Sequence, residues 1–236
     1  MPIELQKVYP WFAFLGTREN ANISVANRFY GLSADGDHKI RGIALRRSDT
    51  PRFIANLQTE ILNILARQPD PAKLVDLFPE ILALTLEKLA ALKAGQVPLG
   101  ELVIAQTLSR ELNEYSYFSH AATAAKQLEV MGKTLKMGQR VRYLHIAAGP
   151  GARAWDLADD LDPRTVDFPR YREILLRAVH EVMQPLGVSE EVLREWVLSR
   201  AGYVAPPGMV RSLQDLSEIH MPLFAATPGA GLPAIP

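Results

Sequence analysis

Residues 27–50 run Asn-Arg-Phe-Tyr-Gly-Leu, a short turn at Asp35-Gly36, then Lys-Ile-Arg-Gly-Ile-Ala-Leu-Arg-Arg-Ser-Asp-Thr. No other stretch limits the fold as strongly. Asp-Gly supplies the positive-φ positions of a tight turn, so Ile23 to Leu32 and His38 to Arg47 spell a β-hairpin. Its second strand then hands over to a helix. Asp49 or Thr50 can cap that helix, Pro51 suits its first turn, and Phe53, Ile54, Leu57, Ile61, Ile64 and Leu65 form one apolar stripe. Five cations and one acid lie between Lys39 and Arg52. A sheet edge so charged suits a large anionic partner such as a nucleic-acid backbone.

Composition bounds the rest. The 236 residues can hold one large domain, or a small one beside a larger one. No apolar run is long enough to cross a bilayer, and the amino terminus has no basic-then-apolar leader pattern, so a cytoplasmic protein with no membrane partner is expected. Absence of cysteine removes disulfides and thiolate metal sites. A formal net charge of zero argues against a free-standing DNA binder. The charge is uneven, however: a second basic run, Lys126, Lys133, Lys136, Arg140 and Arg142 against Glu129, follows the first. Two basic segments on a neutral body fit a DNA-gripping face that works beside a stronger binder.

Along the chain, Val8 to Leu15 reads as a short aromatic strand, which with the hairpin makes an antiparallel sheet of about three strands. Such a sheet is marginal alone and is expected to complete a larger sheet on another chain. Asp70-Pro71 opens a second helix with Leu74, Leu77, Phe78, Ile81, Leu82, Leu89 and Leu92 inward, stopped by Gly95 and Pro98. Glu101 to Leu108 and Arg140 to Ile146 read as extended segments. Ser119 caps a third helix ending at Gly132, Asp167 one from Phe168 to about Gln184, and Ser189 one to about Ser199. Beyond Tyr203 the chain is rich in proline, glycine and alanine and reads as a mobile tail or docking segment.

On the hairpin residues quoted above, the chain resembles the end of the palm domain of family B DNA polymerases, just before the thumb. The likeness continues through Leu108-Ser109-Arg110-Glu111-Leu112, Tyr115, His120-Ala121-Ala122, Gly132 and Gly138, to about Arg200. It implies an α+β fold: a small antiparallel sheet at 1–49, the end of a palm, followed by a mainly helical thumb at 50–202 and a tail at 203–236. The family's catalytic carboxylate motifs lie upstream of the matching region. The resemblance therefore implies a small thumb subunit of a split polymerase, part of a nucleotidyltransferase without its catalytic carboxylates. Its expected partners are a larger subunit with exonuclease, palm and fingers, primer–template double-stranded DNA, and a processivity clamp. Mg2+ is expected in the larger subunit, with no cofactor on this chain. The alternative is a non-catalytic thumb-like adaptor in a replication or defence assembly, which the neutral charge and proline-rich tail favour.

The DNA-binding candidates follow. In the family, cations of the aromatic-basic segment reach the minor groove, whose acceptors are nearly the same for every correct pair. Arg28, Tyr30, Lys39 and Arg41 are the candidates there. Asn27 and Phe29 stand where the best-known members have lysines, so only Arg28 keeps a cation. Arg47 matches the family's arginine at the helix entry. On the thumb, Ser109, Arg110, His120 and Lys126 are the candidates, with Tyr115 beside them and the start of the Ser119-capped helix offering N–H groups to a phosphate. The chain runs one residue shorter than the family between Tyr115 and His120. Asp35-Gly36-Asp37 reads as turn chemistry rather than a metal-binding pair. The histidines show no metal-ligand spacing, and no catalytic residue is assigned.

Overall fold

A computed structural model describes residues 8–17, 23–33, 35–116 and 119–198. The expected tail from 203 onward lies outside them. The first sheet has the order β1 (Phe12–Gly16), β2 (Ser24–Gly31), β3 (Lys39–Arg41), all antiparallel. The turn between β2 and β3 forms as the sequence dictates: Gly36 has φ +83°, and the Asp37 N–H donates to Asp35 Oδ1 at 3.0 Å. Strand alternation then splits the sheet into two faces. Ala13, Leu15 and Tyr30 point inward with Trp11 and Leu32, all buried. Phe12, Phe14, Lys39 and Arg41 stay exposed.

The second strand of the hairpin is shorter than the sequence predicts. It stops at Arg41, Gly42 turns into the left-handed region at φ +70°, and Ala44–Arg46 forms one tight helical turn. The reason is tertiary. Backbone N–H groups that a strand would have left for a neighbouring strand are taken by side chains: Ala44 N–H donates to Glu181 Oε2 at 2.8 Å and Leu45 N–H to Gln58 Oε1 at 2.6 Å. The first helix, α1 (Arg52–Ala66), also departs in detail, because Pro51 occupies its cap position and no side chain caps it. Asp49 lies instead 3.8 Å from Arg47 Nε.

Two later helix starts follow their predicted caps, whereas the second α-helix begins only at Phe78 with no side-chain cap, later than the start predicted at Asp70-Pro71. Asp70 accepts from Ala72 N–H and opens a tight turn, Pro71–Leu77, before α2 (Phe78–Lys93). Ser119 accepts from Ala122 N–H at the head of α3 (His120–Val130), and Asp167 from Arg170 N–H at the head of α4 (Phe168–Met183). The last described helix is α5 (Glu190–Leu198). Between α2 and α4 a second antiparallel sheet forms, β4 (Ile104–Thr107), β5 (Arg140–His145), β6 (Ala152–Ala154). Its third strand is too short, and too alanine-rich, to stand out in the sequence.

Two apolar cores result. One joins the inner face of the first sheet to α1, α2, α4 and α5. The other joins the second sheet to α3, and Phe53 and Ile174 pack against both. Burial of the first sheet thus comes from helices of this same chain, and its core is continuous across position 50. No helix among the described residues is long and apolar enough to cross a membrane.

Candidate nucleic-acid interface

The cations of the hairpin fall into two groups. Arg28 points inward: its Nε donates to Gly42 O at 3.1 Å and its Nη2 to Glu181 Oε1 at 3.1 Å. Arg47 Nη1 donates to the same Glu181 oxygen at 3.2 Å, and Gln58 Nε2 reaches Oε2 at 3.4 Å. Glu181, only 8% exposed, therefore collects two candidate DNA contacts and two neutral donors on one carboxylate. Tyr30 is fully buried and its hydroxyl donates to Val182 O at 2.7 Å, while burial pushes the phenol well above its ordinary pKa. It is a core residue and leaves the set of surface contacts. Lys39 and Arg41 face outward, and no ion pair engages either among the described residues.

The candidates between Ser109 and Lys126 converge better. Ser109, Arg110, Tyr115, Ser116 and Ser119 line one open cleft of about 300 Å³ between the end of β4 and the start of α3. Ser109 Oγ and Tyr115 Oη lie 3.4 Å apart on its wall. Arg110 is exposed and carries no ion pair among the described residues. Hydroxyls, a guanidinium and a helix N-terminus around one concavity are the donor set that a phosphate needs, and the Ser119 cap points the positive end of α3 toward it. Lys126 lies farther along α3, paired with Glu129.

His120 is not among the groups lining that cleft. Its ring packs edge-on against His145 with centroids 4.5 Å apart, and a Cβ on Gly151 would come within 3.3 Å of its Nε2. Burial and the nearby Arg170 hold its pKa below the ordinary histidine value. His145 is 4% exposed, and burial, with His120 and Arg170 adding to it, pushes its pKa down to about 4. The backbone N–H of His145 donates to Tyr171 Oη at 3.1 Å, and that hydroxyl itself donates to Leu102 O at 2.8 Å. Sequence reasoning missed this histidine–tyrosine cluster. Only the alternation of Val141, Tyr143 and His145 on one face of β5 hints at it.

The second basic run is largely neutralised in space. Lys133 and Arg142 both pair with Asp156, holding its carboxyl below the usual range, and Arg140 Nη2 donates to Ser48 O at 3.1 Å. Among the described residues no group of three or more His, Asp or Glu could hold a metal ion.

The family model described as DNA polymerase family B matches residues 23–185. DNA polymerase 1 of Saccharolobus solfataricus is 23% identical over 190 residues, covering 80% of this chain and 20% of that protein. The DNA polymerase of Desulfurococcus sp. is 28% identical over 176 residues, with 71% of this chain and 22% of that protein covered. Among solved structures, the family B DNA polymerase from Pyrobaculum calidifontis superposes with a TM-score of 0.54 at 26% identity, over 69% of this chain and 21% of that one. The chain spans between 10% and 24% of the length of the relatives it matches.

Proposed function

The chain belongs to DNA polymerase family B, and we propose that it acts as the thumb subunit of a polymerase divided between two polypeptides. In this reading it grips primer–template duplex while a larger partner supplies exonuclease, fingers and catalytic aspartates. The cleft that gathers Ser109, Arg110, Tyr115 and Ser119 at the head of α3 carries the reading. It offers hydrogen-bond donors for a phosphate within a segment that matches a fifth of a polymerase. In this reading Mg2+ for phosphoryl transfer would be held by the partner's catalytic aspartates. The contribution of this chain is positional. Phosphoryl transfer depends mostly on alignment and charge neutralisation, so holding the 3′ end in line governs rate without a catalytic group.

Co-expression with a family B polymerase core lacking its thumb, followed by primer extension, tests this directly. The chain should lengthen the products. Arg110→Ala should shorten them at moderate salt and lower the salt slope of duplex affinity by about one. An unchanged product-length distribution would remove Arg110 from the grip, and a core indifferent to the chain would end the reading. A second reading, a thumb-like adaptor, draws on the ion pairs that occupy Arg28, Arg47, Lys126, Lys133 and Arg142. It expects assembly with a partner but no effect on extension.

A further inference from the structure

The outward face of the first sheet carries an array that the thumb cleft does not use. In register across the strands, Phe14, Phe29 and Arg41 form one row, and Phe12, Gly31 and Lys39 the next. Residues paired across antiparallel strands point to the same face. The three rings form one cluster, with centroids 5.8 Å apart for Phe14–Phe29, 6.0 Å for Phe12–Phe29 and 6.2 Å for Phe12–Phe14. Gly31 makes room for it, because a Cβ there would come within 2.5 Å of the Phe12 ring. Phe12 remains 42% exposed and Phe14 51%. The fold does not need these rings inside: the opposite face of the sheet supplies its core.

Charge decides what covers such a face. Arg28 and Arg47 share the Glu181 carboxylate, and Arg47 also lies 3.8 Å from Asp49. Lys39 and Arg41, in the same rows as the rings, have no ion pair among the described residues. An apolar protein surface laid over the rings would desolvate both cations without return. A nucleic-acid strand satisfies rings and cations together, since bases stack on aromatic side chains while phosphates meet the charges. In a duplex the base faces are already stacked on one another, so unpaired bases are required. We propose that this face binds single-stranded nucleic acid, with successive unpaired bases stacked on the Phe12–Phe14–Phe29 cluster and the backbone running along Lys39 and Arg41. The site is separate from the thumb cleft and does not depend on the split-polymerase reading.

The test measures binding of the purified full chain, by fluorescence anisotropy, to a labelled thymidine oligomer and to an abasic oligomer of equal length and charge. The wild type should prefer the thymidine oligomer by at least about tenfold. Phe14→Ala with Phe29→Ala should abolish that preference and leave the abasic affinity unchanged. Phe14→Leu, which keeps an apolar side chain, should weaken the preference also. Arg41→Ala should weaken both oligomers alike and reduce the salt slope by about 0.7. Equal affinity for the two oligomers, or a preference that survives loss of both phenylalanines, overturns the proposal. So does a thymidine oligomer that fails to bind while Phe14→Ala disrupts self-association or capture by a polymerase core, which would assign the face to protein. A blunt hairpin duplex with Arg110→Ala reports the cleft independently.

Discussion

Glu181 shows how one side chain changes the meaning of several others. Arg28 and Arg47 both look like exposed strand cations in the sequence, yet the same buried carboxylate holds them, together with the Ala44 N–H. Their partner lies 153 and 134 residues away, and nothing local marks it. Glu181→Ala strands the Ala44 donor and leaves Arg28 without a counter-charge, with Asp49 as the remaining acidic partner of Arg47. It should cost about 2–3 kcal/mol, less than a fully buried pair because the arginines are partly exposed. Urea unfolding followed by circular dichroism would show it as a lower midpoint with the same slope. Stability matching the wild type would mean that the carboxylate is not holding the hairpin to α4. Tyr30 teaches the same lesson: strand alternation placed it on a face, but only packing against Val182 identified that face as the inner one.

Among the elements, those with a local stop or start were readable. Asp70, Ser119 and Asp167 cap where the sequence predicts, because a short acceptor side chain before an apolar period satisfies the first N–H groups by itself. The end of β3 was not readable, since Gln58 and Glu181 reach in from α1 and α4 to take the backbone donors. Two glycines of the hairpin separate local from tertiary constraint. At Gly36, φ is +83° with nothing within 4 Å of an added Cβ, whereas at Gly42, φ is +70° and a Cβ would sit 2.3 Å from Asn27 O. Gly36→Ala should cost only the left-handed strain of roughly 1–2 kcal/mol. Gly42→Ala should cost more, because backbone must move, and its melting temperature should fall further. Equal melting temperatures for the two variants would contradict the close approach at Gly42.

For the whole molecule, the second core places His145 where it titrates against the fold. Its pKa in the folded chain, about 4, lies below the ordinary 6.5, so the unfolded chain binds more protons between those limits. The stability held by neutral His145 is complete above about pH 6.5 and falls as the pH drops toward 4, by on the order of 3 kcal/mol. His120 and His180, lowered mainly by burial, act in the same direction. The depressed carboxyls of Asp156 and Glu173 add a loss that begins as the pH falls through the ordinary carboxylate range and continues below it. His145→Leu should flatten the decline between pH 6.5 and 5 in a urea-midpoint series; an unaltered slope would show that the ring is not neutral in the fold. Taken by itself, the sequence determined the hairpin turn, most helix starts, the apolar stripes and the family, because each rests on residues a few positions apart or on motifs in order. Tertiary structure alone decided which hairpin cations are spent on Glu181, which tyrosine is core, and that Ser109, Arg110, Tyr115 and Ser119 share one cleft. Charge pairing and burial depend on partners brought together from distant parts of the chain, and no local pattern encodes them.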